Sequence, residues 1–204
     1  MSSIFVISAP SGSGKSSLLR NVLAKDRELL FSVSYTTRQP RGAEREGVEY
    51  HFVSREEFEK RIEAGEFLEW ALVFGHYYGT HRSYLDRASR EGKDLVLDID
   101  VQGARQLINK VPDAISIFVL APSRQVLEQR LRGRSEDSDA AVIARLKQAA
   151  EEARQYRNYD YVIVNDDLDR ATGQLAAVVT AERCRRERTA ARIGPILESF
   201  DIQE

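Results

Sequence analysis

Ten residues near the N-terminus, SAPSGSGKSS from Ser8 to Ser17, constrain this chain more than any other stretch. The apolar run Ile4 to Ser8 leads into them, and Leu18, Leu19, Val22 and Leu23 follow at helical spacing. A short β-branched run closed by a Pro/Gly/Ser cluster reads as a buried strand. The stretch Lys15 to Lys25, apolar on one face, reads as a helix. A strand that turns through glycines straight into a helix gathers its loop N–H groups and the positive end of the helix dipole at one point. Gly12 and Gly14 permit the backbone turns this requires. Lys15 adds a mobile full charge, and the Ser16 hydroxyl can ligate Mg²⁺. In register the loop is Ala9, Pro10, Ser11, Gly12, Ser13, Gly14, Lys15, Ser16, with Ser17 behind it. It is a Walker A phosphate loop with one departure, since Ala9 stands where that pattern has its first glycine. A nucleoside triphosphate is expected here; the loop alone names neither the base nor the acceptor.

The remaining chain supports one α/β domain. Its 204 residues are too few for two comfortable domains. Further apolar strands are expected at DLVLDID (94–100), at Ile115 to Leu120 and at Tyr161 to Val164. Helices are expected at Arg55 to Ala64 behind a Ser54/Glu57 capping box, at Tyr84 to Glu91 ending on Gly92, and at Ala104 to Asn109. Others are expected at Ser123 to Leu131, at Ala140 to Tyr156 and from Leu168 to about Thr189, with a loosely held tail after Gly194. Buried strands alternating with helices predict a parallel sheet covered on both faces. The stretch between residues 32 and 54 shows no helical period and reads as short antiparallel strands and loops; FGHYYGTH (74–81) reads as irregular or a hairpin. A net charge of −2 argues against a nucleic-acid binder. Cys184 is the one cysteine, so no internal disulfide can form. No apolar run approaches a membrane span, and the short N-terminal run lacks the basic flank of a signal peptide. These features point to a cytoplasmic location.

Arg38 and Arg41 lie close together in a loop, with Tyr50 downstream. Two arginines can fork around a phosphate, but a solvated basic loop has the same composition. The combination of motifs goes further. After the Walker loop come SYTTRQPR (34–41), GVEY (47–50), EFLE (66–69), YYGT (77–80), LDIDVQG (97–103), RLRGR (130–134) and IVND (163–166). In this order they closely resemble guanylate kinase, from about residue 3 to about residue 185. The Gly42-Ala43 pair departs from the family's usual residues there and is expected to alter a turn only.

The resemblance implies a P-loop fold of three layers with a central parallel sheet, a small mixed β region for GMP and a helical lid. The implied division of residues 1–204 is a core of 1–33, 83–122 and 157–190, a GMP-binding region of 34–82, a lid of 123–156 and a tail of 191–204. It implies transfer of the ATP γ-phosphoryl group to GMP with Mg²⁺, a step in GMP recycling and GTP supply. Ser34, Arg38, Arg41 and Tyr50 match the positions that hold the GMP phosphate, and Tyr78 is similar to a tyrosine beside it. Glu69, Thr80 and Asp100 match the positions that read guanine. Guanine offers N1–H and a 2-amino group as donors and O6 as acceptor. A carboxylate suits the first pair and a threonine hydroxyl the last, whereas adenine would leave Glu69 unpaired. Asp98 and Asp100, two apart in an expected strand, would share a face, with Asp98 on the Mg²⁺ side. Arg134 and Arg145 would reach the phosphates as the lid closes. Arg130 would lie near the adenine or the phosphates, and Asn165 near the ATP base.

Lys15, Arg38, Arg134 and Arg145 are the expected catalytic groups. His51, His76 and His81 form no catalytic or metal set, and none is needed, because a GMP phosphate oxygen is ionised at neutral pH. A ribose-bisphosphate kinase is disfavoured by Glu69, Thr80 and Asp100 together. A phosphopeptide-binding scaffold domain is disfavoured by the intact Lys15 and Ser16. The use of dGMP and assembly into a homo-oligomer stay open.

Overall fold

Residues 2–133 and 139–200 are described in a computed structural model. The first half of the chain runs β1 (Ile4–Ser8), α1 (Lys15–Lys25), β2 (Leu29–Phe31), β3 (Tyr35–Thr36), β4 (His51–Phe52), α2 (Arg55–Glu63), β5 (Phe67–Val73) and β6 (His76–His81). The second half runs α3 (Ser83–Glu91), β7 (Asp94–Asp98), α4 (Val101–Lys110), β8 (Ile115–Leu120), α5 (Arg124–Arg132) and α6 (Asp139–Ala153). A 3₁₀ turn, Arg154–Asn158, then leads to β9 (Tyr161–Val164), α7 (Leu168–Arg183) and α8 (Arg186–Glu198). No helix among the described residues is long and apolar enough to cross a membrane.

The central sheet has five parallel strands in the order β2-β7-β1-β8-β9. Alternation along β1 divides the core in two. Phe5 and Ile7 face Leu18, Val22 and Leu175, under α1 and α7. Val6 faces Leu97, Ala104 and Leu107, under α4. Each of the larger of these side chains, Phe, Ile, Leu or Val, contributes roughly 1.5–3 kcal/mol when withdrawn from water. Helix, sheet and helix thus make the three layers expected. A third cluster, Leu127, Leu131, Val142, Leu146 and Ala149, joins α5 to α6.

The second sheet is mixed, in the order β4-β3-β6-β5. The antiparallel reading of residues 32 to 54 is corrected here. β3 and β4 pair parallel, and β3 finds its antiparallel partner in β6. The stretch 74–81 is a hairpin arm: β5 and β6 pair antiparallel, with Phe74 and Gly75 at positive φ in the turn. The aspartate pair is corrected too. β7 ends at Asp98, and Asp100 caps α4 instead, its Oδ1 accepting from Gly103 N at 2.8 Å. That cap starts α4 at Val101, before the expected Ala104.

Other helix ends differ in detail. Ser54 Oγ accepts from Glu57 N at 3.1 Å, but the Glu57 carboxylate is engaged by Arg61 at 2.7 Å, so half of the capping box forms. The last expected helix breaks at Cys184 and Arg185 into α7 and α8. α8 continues past Gly194 and through Pro195, carrying large exposed side chains such as Ile196.

Candidate active site

The phosphate loop joins β1 to α1 at the C-terminal edge of the central sheet, where parallel α/β sheets place ligands. Gly14 caps α1 at φ +90°, and Gly12 lies at φ +88°. Side chains rarely adopt such angles. Crowding adds a second constraint at Gly14, since a Cβ there would strike Asn165 Nδ2. Asn165 is buried and donates from Nδ2 to Ser13 O at 2.9 Å. Arg130 donates to Ser13 O at 3.2 Å and to Asn165 O at 3.0 Å. Both residues therefore brace the loop from behind. Lys15 forms an ion pair with Asp98, and its Nζ donates to Ile99 O at 2.9 Å. The lysine lies across the end of β7, and the Ser16 side chain is exposed beside it.

A cleft of about 570 Å³ opens from this loop toward the second sheet. Ser11, Lys15 and Asp98 from the central sheet and its phosphate loop line it together with Ser34, Arg41, Tyr50, Glu69, Tyr78 and Asp100. Arg38 lies just behind, buried, with its guanidinium 5.3 Å from the centre of the Tyr50 ring. Its Nε donates to Tyr78 Oη at 3.2 Å, Nη1 to Gln39 O at 2.7 Å and Nη2 to Glu44 Oε1 at 2.9 Å. Glu44 Oε2 also accepts from Arg41 N at 2.8 Å. Glu44 thus ties both arginines of the loop together. Burial raises its pKa, but the Arg38 guanidinium and the Arg41 amide outweigh this and hold the carboxyl below its usual range. Burial, helped by the Asp98 charge, pushes the Tyr50 hydroxyl up to about 12, so it remains a donor.

Glu69 and Thr80 sit directly opposite each other on β5 and β6. Both are buried, at 2% and 0% exposure. Glu69 Oε1 and Thr80 Oγ1 lie near enough for the hydroxyl to ease the carboxylate, but neither has a well-aligned hydrogen bond to the other or to any other described residue. An unsatisfied buried polar atom costs about 1–3 kcal/mol, and here two of them stand side by side. A ligand presenting donors and an acceptor together would satisfy both. Gly103 makes room for this arrangement, because a Cβ there would run into Glu69 Oε2 and lie 2.9 Å from Cδ.

Burial, with Asp100 adding repulsion, pushes Glu69 up to about 7, although Thr80 and Lys110 draw it back in part. Below that pH the carboxyl carries a proton and loses acceptor capacity. Affinity for a donor-bearing ligand at this spot is expected to weaken as pH falls through 7, with proton uptake by the free site. Calorimetric titration at pH 6 and pH 8 checks this; in Glu69→Gln the dependence from this group should vanish.

Comparisons with known proteins give the family. The family model described as guanylate kinase matches residues 1–182. The chain belongs to the guanylate kinase family. The guanylate kinase of Symbiobacterium thermophilum is 50% identical over 196 residues, covering 96% of this chain and 93% of that one. The guanylate kinase of Myxococcus xanthus is 50% identical over 186 residues, covering 91% and 89%. The crystal structure of guanylate kinase from Anaplasma phagocytophilum superposes with a TM-score of 0.78 at 36% identity, covering 99% and 97%.

Of the residues expected for a guanylate kinase, Ser11 and Lys15 of the phosphate loop, Ser34, Arg41, Tyr50, Glu69, Tyr78, Asp98 and Asp100 line the one cleft, and Thr80 pairs with Glu69. Arg145, on α6, lines the same cleft. Arg134 lies outside the described residues. Two further residues shape the site and were not singled out from the sequence. Glu44 could have been found from its place three residues after Arg41, the spacing of a tight turn closed by Glu44 N to Arg41 O at 3.0 Å. Gly103 carried no such signal, since only the fold brings Glu69 against it.

Proposed function

We propose that this cleft is where the γ-phosphoryl group of ATP passes to a phosphate oxygen of GMP, giving ADP and GDP. The observation that carries the reading is that Lys15 and the unpartnered Glu69 face one cleft. The loop N–H groups and Lys15 hold the ATP phosphates. Arg41, Tyr50 and Tyr78 hold the GMP phosphate, with Ser34 beside them and Arg38 contributing from behind. Glu69 accepts from guanine N1–H and the 2-amino group, Thr80 donates to O6, and Asp100 supplies the remaining acceptor beside them. Base identity is thereby read before any phosphate moves.

Transfer between two phosphates asks the protein for alignment and for neutralisation of spreading negative charge. Lys15 and Arg145 supply positive charge between the two nucleotides, and GMP needs no base to deprotonate it. The donor set also suits Mg²⁺. No group of three or more His, Cys, Asp or Glu that could hold a metal occurs among the described residues. Mg²⁺ takes most of its ligands from phosphates and water, so Ser16 and, through water, Asp98 would suffice to hold it. Bound there, it would neutralise charge on the β- and γ-phosphates. The α5–α6 lid and the second sheet close over the substrates and keep water from the γ-phosphate.

A coupled assay of nucleoside diphosphate formation, with ATP and Mg²⁺ and each of GMP, AMP, CMP and UMP, tests the proposal. Turnover with GMP should exceed that with AMP by roughly 10⁴-fold. Comparable rates with AMP and GMP would overturn the base-reading assignments.

A further inference from the structure

β5 is the outer strand of the second sheet, so one row of its backbone groups has no strand to pair with. Side chains of α4 serve that row. Gln106 Nε2 donates to Trp70 O at 2.7 Å, and its Oε1 accepts from Trp70 N at 3.4 Å. Lys110 Nζ donates to Leu68 O at 2.9 Å. The two attachments fall on either side of Glu69. Gly103, Gln106 and Lys110 are spaced to share one face of α4, and Gly103 is the residue that admits the Glu69 carboxylate. The same helix begins at Asp100, through the cap to Gly103 N. One rigid element therefore carries one of the two carboxylates in the cleft and grips the backbone beneath the other.

We propose that Gln106 is a positioning residue for base recognition, setting Glu69 at a fixed distance from Asp100. The inference rests on the reading of Glu69 as the partner of guanine. A carboxylate meeting N1–H and the 2-amino group together must hold its place closely, and a displacement of about 1 Å costs up to roughly 100-fold. Without Gln106, β5 keeps its pairing to β6 but loses its amide clamp to α4.

The test compares GMP with inosine monophosphate, which lacks the 2-amino group. kcat/KM for both is measured in the parent chain, Gln106→Ala and Glu69→Ala. Gln106→Ala should lower the GMP/IMP ratio by roughly 10- to 100-fold through the KM for GMP. The KM for ATP and the kcat at saturating GMP should hold. A ratio unchanged in Gln106→Ala but collapsed in Glu69→Ala would overturn the role of Gln106 and leave that of Glu69. Equal losses with GMP and IMP would reduce Gln106 to edge-strand protection. A ratio unmoved in Glu69→Ala would overturn both. Gln106→Met, which keeps the length of the side chain and removes both amide bonds to Trp70, gives the same readout if Gln106→Ala does not fold.

Discussion

Lys15→Ala is expected to lower kcat for GDP formation by roughly 10³-fold or more while the chain stays folded. The lysine is the one full positive charge on the loop itself, and its ion pair with Asp98 holds it at the mouth of the cleft. Its role in transfer is to follow charge onto the leaving phosphate, which a backbone N–H cannot replace. The side chains of Lys15 and Asp98 keep only 16% and 23% of their exposure. The pair therefore lies between an exposed one, worth about 1 kcal/mol or less, and a fully buried one, which costs about 3–5 kcal/mol when one partner is removed. A melting curve should show the variant still folded at the assay temperature, and the coupled assay should show the loss. A variant retaining a tenth of the parent activity would show that Lys15 is not what this account takes it to be.

Gly103→Ala is expected to raise the KM for GMP by about 100-fold and to erode the preference for GMP over AMP. In a helix, alanine is favoured over glycine by about 1 kcal/mol, so the substitution should not weaken α4 itself. Nor is the backbone at fault, because Gly103 does not occupy the left-handed region. The difficulty is purely one of space. The added Cβ falls on Glu69 Oε2 and lies 3.3 Å from Asp100 Oδ1, against the two carboxylates assigned to guanine. Glu69 is 2% exposed and lines the cleft, so its carboxylate can give way only into the space assigned to guanine. Steady-state kinetics with GMP and AMP, beside a melting curve, separate this from simple unfolding. A KM for GMP within twofold of the parent would mean that the position of Glu69 does not govern binding.

Where a local signal dictates a structure, reading the residues was enough. β1, β8 and β9 begin and end at Ile4–Ser8, Ile115–Leu120 and Tyr161–Val164 as expected, because each is an apolar run closed by breakers. α1 runs from Lys15 to Lys25 as expected, because Gly14 ends the loop and the apolar stripe is unbroken. The second sheet was far less legible. β5 carries no clean alternation in FLEWALV, and β3 and β4 are only two residues long each. Whether β3 meets β4 parallel or antiparallel depends on the path of the loop between them, which no local pattern records. The same holds within the site. The phosphate loop declares itself through spacing, and the resemblance brought Glu69, Thr80 and Asp100 forward. Glu44, Gly103 and Gln106 matter only through what the fold sets against them. Asp98 and Asp100 looked like one strand face because a helix cap and a strand end are indistinguishable in so short a run.

The central claim is that one cleft seats ATP on the phosphate loop and GMP against Glu69 at the same time. Calorimetric binding of a bisubstrate nucleotide, adenosine joined to guanosine through five phosphates, tests it most directly. Joining the halves makes the second binding event intramolecular, so a shared cleft predicts affinity at least about 100-fold tighter than for ATP or GMP alone. The same compound with adenosine at both ends should lose most of that gain. An affinity no better than that of ATP, or equal affinity for the two compounds, would contradict the account.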